Sequence, residues 1–237
     1  MNIPKQANVI IIGGGVIGCS IAYHLGKLGW KDIVLLERKK LTSGTTWHAA
    51  GLIAQLRATQ NMTRLAKYSQ ELYWDLEKET GVVTGFKRNG SMTVALTEER
   101  LEELNRQADM ARAYDVEIEN INKSQIQERY PHLNTEDVLG GVWLPKDGQA
   151  DPVNITLALA KGARNFGVTI IEDLKVHSIE TNDGKVKAVR THQGLINANY
   201  IVNAGGMWGQ EIGNMAGASV PLHACEHFYI VTEPIDN

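Results

Sequence analysis

Cysteine is scarce in this chain: two residues in 237, Cys19 and Cys225, far apart and at no metal-ligand spacing. That argues against a disulfide scaffold and fits a reducing compartment, where both thiols behave as small hydrophobes. No run approaches the ~20 apolar residues of a membrane-spanning helix. No secretory leader is legible either, because the apolar run Val9–Ile12 breaks at once into Gly13-Gly14-Gly15. A cationic surface is lacking too: 24 Lys+Arg stand against 27 Asp+Glu, a net charge of -3. With no basic stripe, nucleic acid is an unfavoured partner. His24 reads as a packing residue on the first helix, and His132, His177 and His192 have no companions at metal spacing, so no metal site is expected. Repeats and low-complexity linkers are absent. What remains reads as a cytoplasmic protein clear of the membrane, whose 43% hydrophobic residues can build a sizeable core.

The opening has the texture of a βαβ unit. Asn8–Ile12 is a short β-branched run, and Gly15–Gly29 carries Ile17, Ile21, His24, Leu25 and Leu28 at helical spacings. Asp32–Glu37 reads as the next strand, and Thr63–Thr80 as a helix stopped by Gly81. After Gly81 the texture changes. Phe86–Leu96 alternates around Asn89-Gly90, a hairpin signal. Glu98–Ala113 predicts a charged amphipathic helix and Gly140–Leu144 a strand. Asp151-Pro152 supplies an N-cap and a proline at the first helical position, opening a helix to about Phe166. Strands are expected over Val168–Ile171, Leu174–Ile179, Val186–Arg190 and Tyr200–Asn203, with a tight turn at Asn182-Asp183-Gly184. A helix follows Ala204-Gly205-Gly206 to about Ala216, and Cys225–Thr232 alternates like a strand.

The expected fold class is α/β: a Rossmann-like dinucleotide domain with an inserted antiparallel-sheet (α+β) domain. Its parts fall at residues 1–84 and 151–218 for the dinucleotide domain, 85–150 for the insert and 219–237 for further strands. The chain stops at Asn237 directly after a strand with no closing helix, the pattern of a fragment incomplete at its C-terminus.

Gly13-Gly14-Gly15-Val16-Ile17-Gly18 fits G-x-G-x-x-G between a strand and a helix. Gly13 permits the tight turn, Gly15 lets the backbone approach a pyrophosphate, and Gly18 allows close helix–strand packing. The helix start offers unpaired N–H groups to phosphates. Glu37, nineteen residues after Gly18, ends the second strand where a carboxylate accepts from a ribose 2′-OH and repels a 2′-phosphate. The pattern calls for an adenine dinucleotide, FAD or NAD, and argues against NADP.

Shortly downstream lies Ser43-Gly44-Thr45-Thr46-Trp47-His48-Ala49-Ala50-Gly51-Leu52. The Thr45 and Thr46 hydroxyls suit phosphate or a flavin's diol linker. Gly44 and Gly51 let the backbone lie against an isoalloxazine ring, Trp47 offers an aromatic wall and His48 a nucleophilic ring nitrogen. A surface histidine is the plain alternative for His48.

This decapeptide resembles the flavin-attachment segment of the dimethylglycine and sarcosine dehydrogenases, a branch of the D-amino-acid-oxidase-like FAD oxidoreductases. Leu76–Gly81, Asn89-Gly90-Ser91, Asp147–Pro152, Val202–Gly205 and Tyr229–Thr232 resemble that family's landmarks in its order, so the likeness covers essentially the whole chain. The resemblance implies FAD as cofactor, with Val16 and Ile17 at the pyrophosphate turn and Glu37-Arg38 at the adenosine ribose. It implies Gly44–Leu52 around the flavin, His48 as the covalent 8α attachment, Val176 beside the adenine and Trp208 as the aromatic after the Ala-Gly-Gly turn. A regulatory, non-catalytic relative in the family lacks this histidine, so His48 argues against that branch. Family members are much longer, with a later Gly-rich segment and often a tetrahydrofolate-binding domain. Glu226-His227 stands where relatives often carry a His-His pair.

The activity implied is oxidative demethylation of an N-methyl amino acid, by hydride transfer from the N-methyl carbon to the flavin, with an electron-transfer flavoprotein as acceptor. Tyr229 and His227 alternate with Phe228, so a strand there would point both to one face to orient or deprotonate the amine; Tyr229 sits in the family-like Tyr-x-Val-Thr. A packed tyrosine with a satisfied hydroxyl is the other reading. Two alternatives stay open for the whole chain: a non-covalent FAD amino-acid oxidase that uses oxygen, and a flavin-binding inactive or regulatory chain.

Overall fold

The computed structural model describes residues 3–235. In chain order the elements are β1 (Gln6–Ile12), α1 (Val16–Lys27), β2 (Ile33–Leu36), β3 (Leu52–Ile53), α2 (Gln60–Thr80) and β4 (Ser91–Ala95). Next come α3 (Glu98–Ala113), β5 (Glu119–Ile121), α4 (Lys123–Arg129), β6 (Gly140–Leu144) and β7 (Gly148–Gln149). The last are α5 (Pro152–Asn165), β8 (Thr169–Ile171), β9 (Val176–Asn182), β10 (Lys185–Thr191), β11 (Gly194–Asn203) and α6 (Gly209–Met215). Short 3-10 turns stand at Thr46–His48 and Gly206–Trp208.

The chain divides into two compact units. One holds residues 3–50, 76–84 and 151–228; the other holds 51–75, 85–150 and 229–235. Residues 51–75 therefore cluster with the insert, whereas the sequence reading put them in the first part of the dinucleotide domain.

The first unit is built on a six-stranded sheet in the order β8-β2-β1-β11-β10-β9. The four strands β8, β2, β1 and β11 run parallel, and β10 and β9 continue the sheet antiparallel. Val9–Ile12 are all buried, as parallel strands covered on both faces require. Each such side chain gains roughly 1.5–3 kcal/mol on leaving water. Ile10, Ile12, Val34, Leu36, Val176, Val189 and Ile196 share one core. The helices α1 and α5 meet through glycines: a Cβ on Gly26 would lie 2.7 Å from that of Phe166, and one on Gly162 2.7 Å from the Tyr23 ring. The buried Tyr23 hydroxyl finds an acceptor in Glu79, at 2.7 and 2.9 Å. Asp151 caps α5 as its sequence foretells, accepting from the Val153 and Asn154 N–H groups at 2.8 and 3.1 Å. The turn after β9 uses Asp183 (φ 49) and Gly184 (φ 72), both left-handed, as a two-residue hairpin needs.

The second unit carries a three-stranded antiparallel sheet in the order β4-β6-β5, with α3 supplying Leu104, Ala108 and Ala111 to its core. The hairpin expected across Phe86–Leu96 does not form. The chain does turn at Gly90 (φ 80), but Lys87 bridges to Gln149 while β4 pairs with β6. The local Asn-Gly signal is therefore real, and the pairing is decided by partners about 45 to 62 residues away. Asn122 and Gln125 close a reciprocal capping box on α4 that the sequence reading passed over.

No strand forms over Cys225–Thr232 among the described residues. A strand needs a hydrogen-bonded neighbour, and no described strand pairs with this segment, so its alternation has no sheet to register against.

Candidate functional site

A cavity of about 560 Å³ opens in the first unit where β1, β2 and β11 end. It lies beside β1, whose neighbours β2 and β11 lie on opposite sides, the switch point at which α/β sheets bind ligands. Its volume falls within the ~300–1,000 Å³ of ordinary small-molecule sites.

The floor is the glycine turn. Gly13 takes φ +116, and a Cβ there would run into the Ala204 carbonyl. Gly13 also donates its N–H to the Leu36 carbonyl at 2.9 Å, and Ala204 donates to that of Ile12 at 2.9 Å. These bonds lock the ends of three strands together. Gly18 lies outside the lining, packed so close to the Gly13 carbonyl that no side chain fits. The α1 N-terminus carries no capping side chain of its own and no acidic residue in its first turn. Its Val16 N–H is met by the Thr46 hydroxyl at 3.0 Å, which ties the threonine loop to the fingerprint.

Glu37 is 8% exposed and its carboxylate is partly committed. One oxygen accepts the Gly14 N–H at 2.7 Å and the other the Lys39 N–H at 2.9 Å. Each oxygen keeps a lone pair, so the carboxylate can also accept from a ribose. Leu174 donates its N–H to the Glu37 carbonyl at 2.8 Å, which sets Lys175 and Val176 beside the end of β2. Across the site the Arg38 guanidinium lies 3.9 Å from the centre of the Trp208 ring.

The cavity gathers Gly13, Gly15, Val16, Ile17, Glu37, Arg38, Gly44, Thr45, Thr46, Val176 and Trp208, all flagged by the sequence. It adds Lys175 and Glu211, which the sequence did not single out. These residues fit a dinucleotide. A Cβ on Gly15 would crowd the Thr46 hydroxyl at 3.0 Å, so glycine keeps that approach open, and the positive end of the helix suits a diphosphate.

Other expected residues stand outside the lining. Trp47 and His48 occupy the 3-10 turn directly after Thr46. Both are exposed, and their rings stack with centres 3.6 Å apart and planes 34° from parallel. Ala49 and Ala50 follow them in the first unit and are also exposed. Gly51 and Leu52 belong to the second unit, where Leu52 pairs with Gln149. His227 and Tyr229 are exposed, and the strand that their alternation predicts does not form there. The described residues contain no cluster of His, Cys, Asp or Glu able to hold a metal ion.

Against known proteins, residues 8–237 match the family model described as FAD dependent oxidoreductase, DAO. The chain belongs to the DAO family. Within it, the chain is 41% identical over 236 residues to the mitochondrial pyruvate dehydrogenase phosphatase regulatory subunit of Mus musculus, covering 99% of this chain and 27% of that protein. It is 42% identical over 230 residues to mitochondrial dimethylglycine dehydrogenase of Rattus norvegicus, covering 97% and 27%. To 4-methylaminobutanoate oxidase (formaldehyde-forming) of Paenarthrobacter nicotinovorans it is 39% identical, covering 99% and 28%. The chain thus spans about a quarter of the length of these curated DAO-family relatives. Among solved structures it superposes on L-proline dehydrogenase from P. horikoshii with a TM-score of 0.85 at 29% identity, covering 91% of this chain and 57% of that one. Glycine oxidase from Bacillus cereus ATCC 14579 gives 0.74 at 30% identity, covering 88% and 58%.

Proposed function

We propose that this chain holds FAD in the cavity of its first unit, attached covalently through His48, and that it serves the oxidative demethylation of an N-methyl amino acid. The supporting observation is the cavity wall itself. The fingerprint, Glu37-Arg38 and Gly44–Thr46 converge in one space, and the loop leads from there directly into Trp47-His48. Gly13–Ile17 would hold the pyrophosphate, Glu37 the ribose, and Val176 the adenine. The exposed imidazole of His48 offers a ring nitrogen to the flavin's 8α carbon. FAD, when bound, supplies the two-electron acceptor that takes hydride from a carbon next to nitrogen.

The substrate class comes from the relatives. Sarcosine and dimethylglycine dehydrogenases and 4-methylaminobutanoate oxidase are all named for N-methyl amines that bear a carboxylate. An electron-transfer flavoprotein as acceptor, and tetrahydrofolate in a longer form of the protein, belong to the same proposal. Tyr229 and His227 stand outside the dinucleotide cavity, so the groups that seat the amine are not among those it gathers.

A second reading, a flavin-binding regulatory chain, is favoured by the 41% identity to the phosphatase regulatory subunit. Anaerobic mixing of the flavin-loaded protein with sarcosine, dimethylglycine or 4-methylaminobutanoate separates the two. Bleaching of the flavin by one of these amines is the expected result. A flavin that stays oxidised with all three would leave the regulatory reading.

A further inference from the structure

We propose that Trp208 is a positioning residue of the dinucleotide cavity and acts through Arg38. Its indole holds the guanidinium in the cavity wall, where that cation meets the adenosine diphosphate half of the ligand. This rests on the FAD reading above. The guanidinium carbon lies 3.9 Å from the ring centre, and both residues line the cavity. Arg38 is exposed and makes no ion pair with a carboxylate among the described residues. The adjacent Glu37 carboxylate is turned instead onto the Gly14 and Lys39 N–H groups. An unheld arginine would spread over many rotamers, and binding would have to remove that freedom.

Trp208 is itself placed by the fold. A Cβ on Gly44 would stand 3.4 Å from the edge of its ring, ordinary van der Waals contact, so the threonine loop packs directly against the indole. The turn beneath is fastened by Asn203, whose side chain accepts the Gly205 N–H at 3.2 Å and donates to the Gly209 carbonyl at 2.8 Å. The fold therefore fixes the indole, and the indole fixes the guanidinium. Stacking engages the guanidinium face and leaves its in-plane N–H donors for the ligand's acceptors, an arrangement that a lysine ammonium does not reproduce.

Calorimetric titration of FAD, and separately of ADP, into the flavin-free chain carrying His48→Ala, in which FAD binds reversibly, tests this with a double-mutant cycle. Trp208→Leu is expected to weaken both ligands about two- to fivefold, the scale of one exposed cation–π contact. Trp208→Phe, which keeps an aromatic face, recovers most of that loss, and Arg38→Lys binds as poorly as Arg38→Gln. The double variant Arg38→Gln/Trp208→Leu loses no more than Arg38→Gln alone. Losses that add, or wild-type affinity in Trp208→Leu, would overturn the proposal and leave the FAD reading standing. Failure of the unaltered chain to bind either ligand overturns both. Should Trp208→Leu not fold, the exposed Arg38 decides: an Arg38→Lys variant that matches wild type overturns the stacking role.

Discussion

Thr42 is the residue whose backbone is most out of character. It is β-branched, 8% exposed, and sits at φ 70, a conformation that costs such residues roughly 1–3 kcal/mol. The turn it makes is held by its N–H, which donates to the Gly14 carbonyl at 3.0 Å and so joins the threonine loop to the fingerprint. Thr42→Gly keeps the N–H and removes the steric cost, so its urea midpoint should hold or rise. Thr42→Pro removes the donor and forces φ near −65°, and should lose about 3 kcal/mol or more. A clear drop in Thr42→Gly would contradict this account of the turn. Cys19 gives a second prediction at the same scale. Burial pushes its thiol up to about 12. The unfolded chain gives up that proton nearer the ordinary thiol range, so above it the native state binds more protons than the unfolded one. Stability therefore falls as pH rises from about 9 towards 12, by at most about 1.4 kcal/mol per pH unit from this group. At pH 8 a thiol reagent should label the exposed Cys225 and leave Cys19 untouched in the folded chain. Equal labelling of both would refute the burial.

At the scale of elements, helix ends carry the clearest expectations. Asp151 satisfies two N–H groups of α5, and Asp151→Ala should lower stability by about 1 kcal/mol, read as a shift of the denaturant midpoint without change of slope. Gly18→Ala should do worse, since the new methyl has no space under the Gly13 carbonyl; a loss of about 2–3 kcal/mol together with loss of dinucleotide binding is expected. The same elements show where sequence was a good guide. The opening βαβ was legible because its information is local: a β-branched run, a glycine turn and a helical stripe are contiguous. The Asp151-Pro152 cap was legible for the same reason. The Phe86–Leu96 hairpin misled because Asn89-Gly90 specifies a turn but not the partners of its arms. Lys87 goes to Gln149, and β4 goes to β6. Cys225–Thr232 misled in a related way, since alternation alone makes no strand without a neighbour to bond.

At the scale of the molecule, the cavity is assembled from segments as distant as Gly13 and Trp208. The motif-bearing segments announced themselves. Lys175 and Glu211 did not, because nothing in their local sequence marks them. Lys175 reaches the site only because Leu174 bonds back to the Glu37 carbonyl, a contact between residues far apart in the chain. Family membership supplies the FAD, and the geometry supplies a place for it. The proposed covalent link at His48 would join the two and is the central claim. Its most direct test is the intact mass of the purified chain after denaturation, followed by a peptide map. The account predicts a gain of one FAD on the peptide that contains Trp47 and His48, absent from His48→Ala. FAD released free, with the polypeptide mass unchanged, would contradict it.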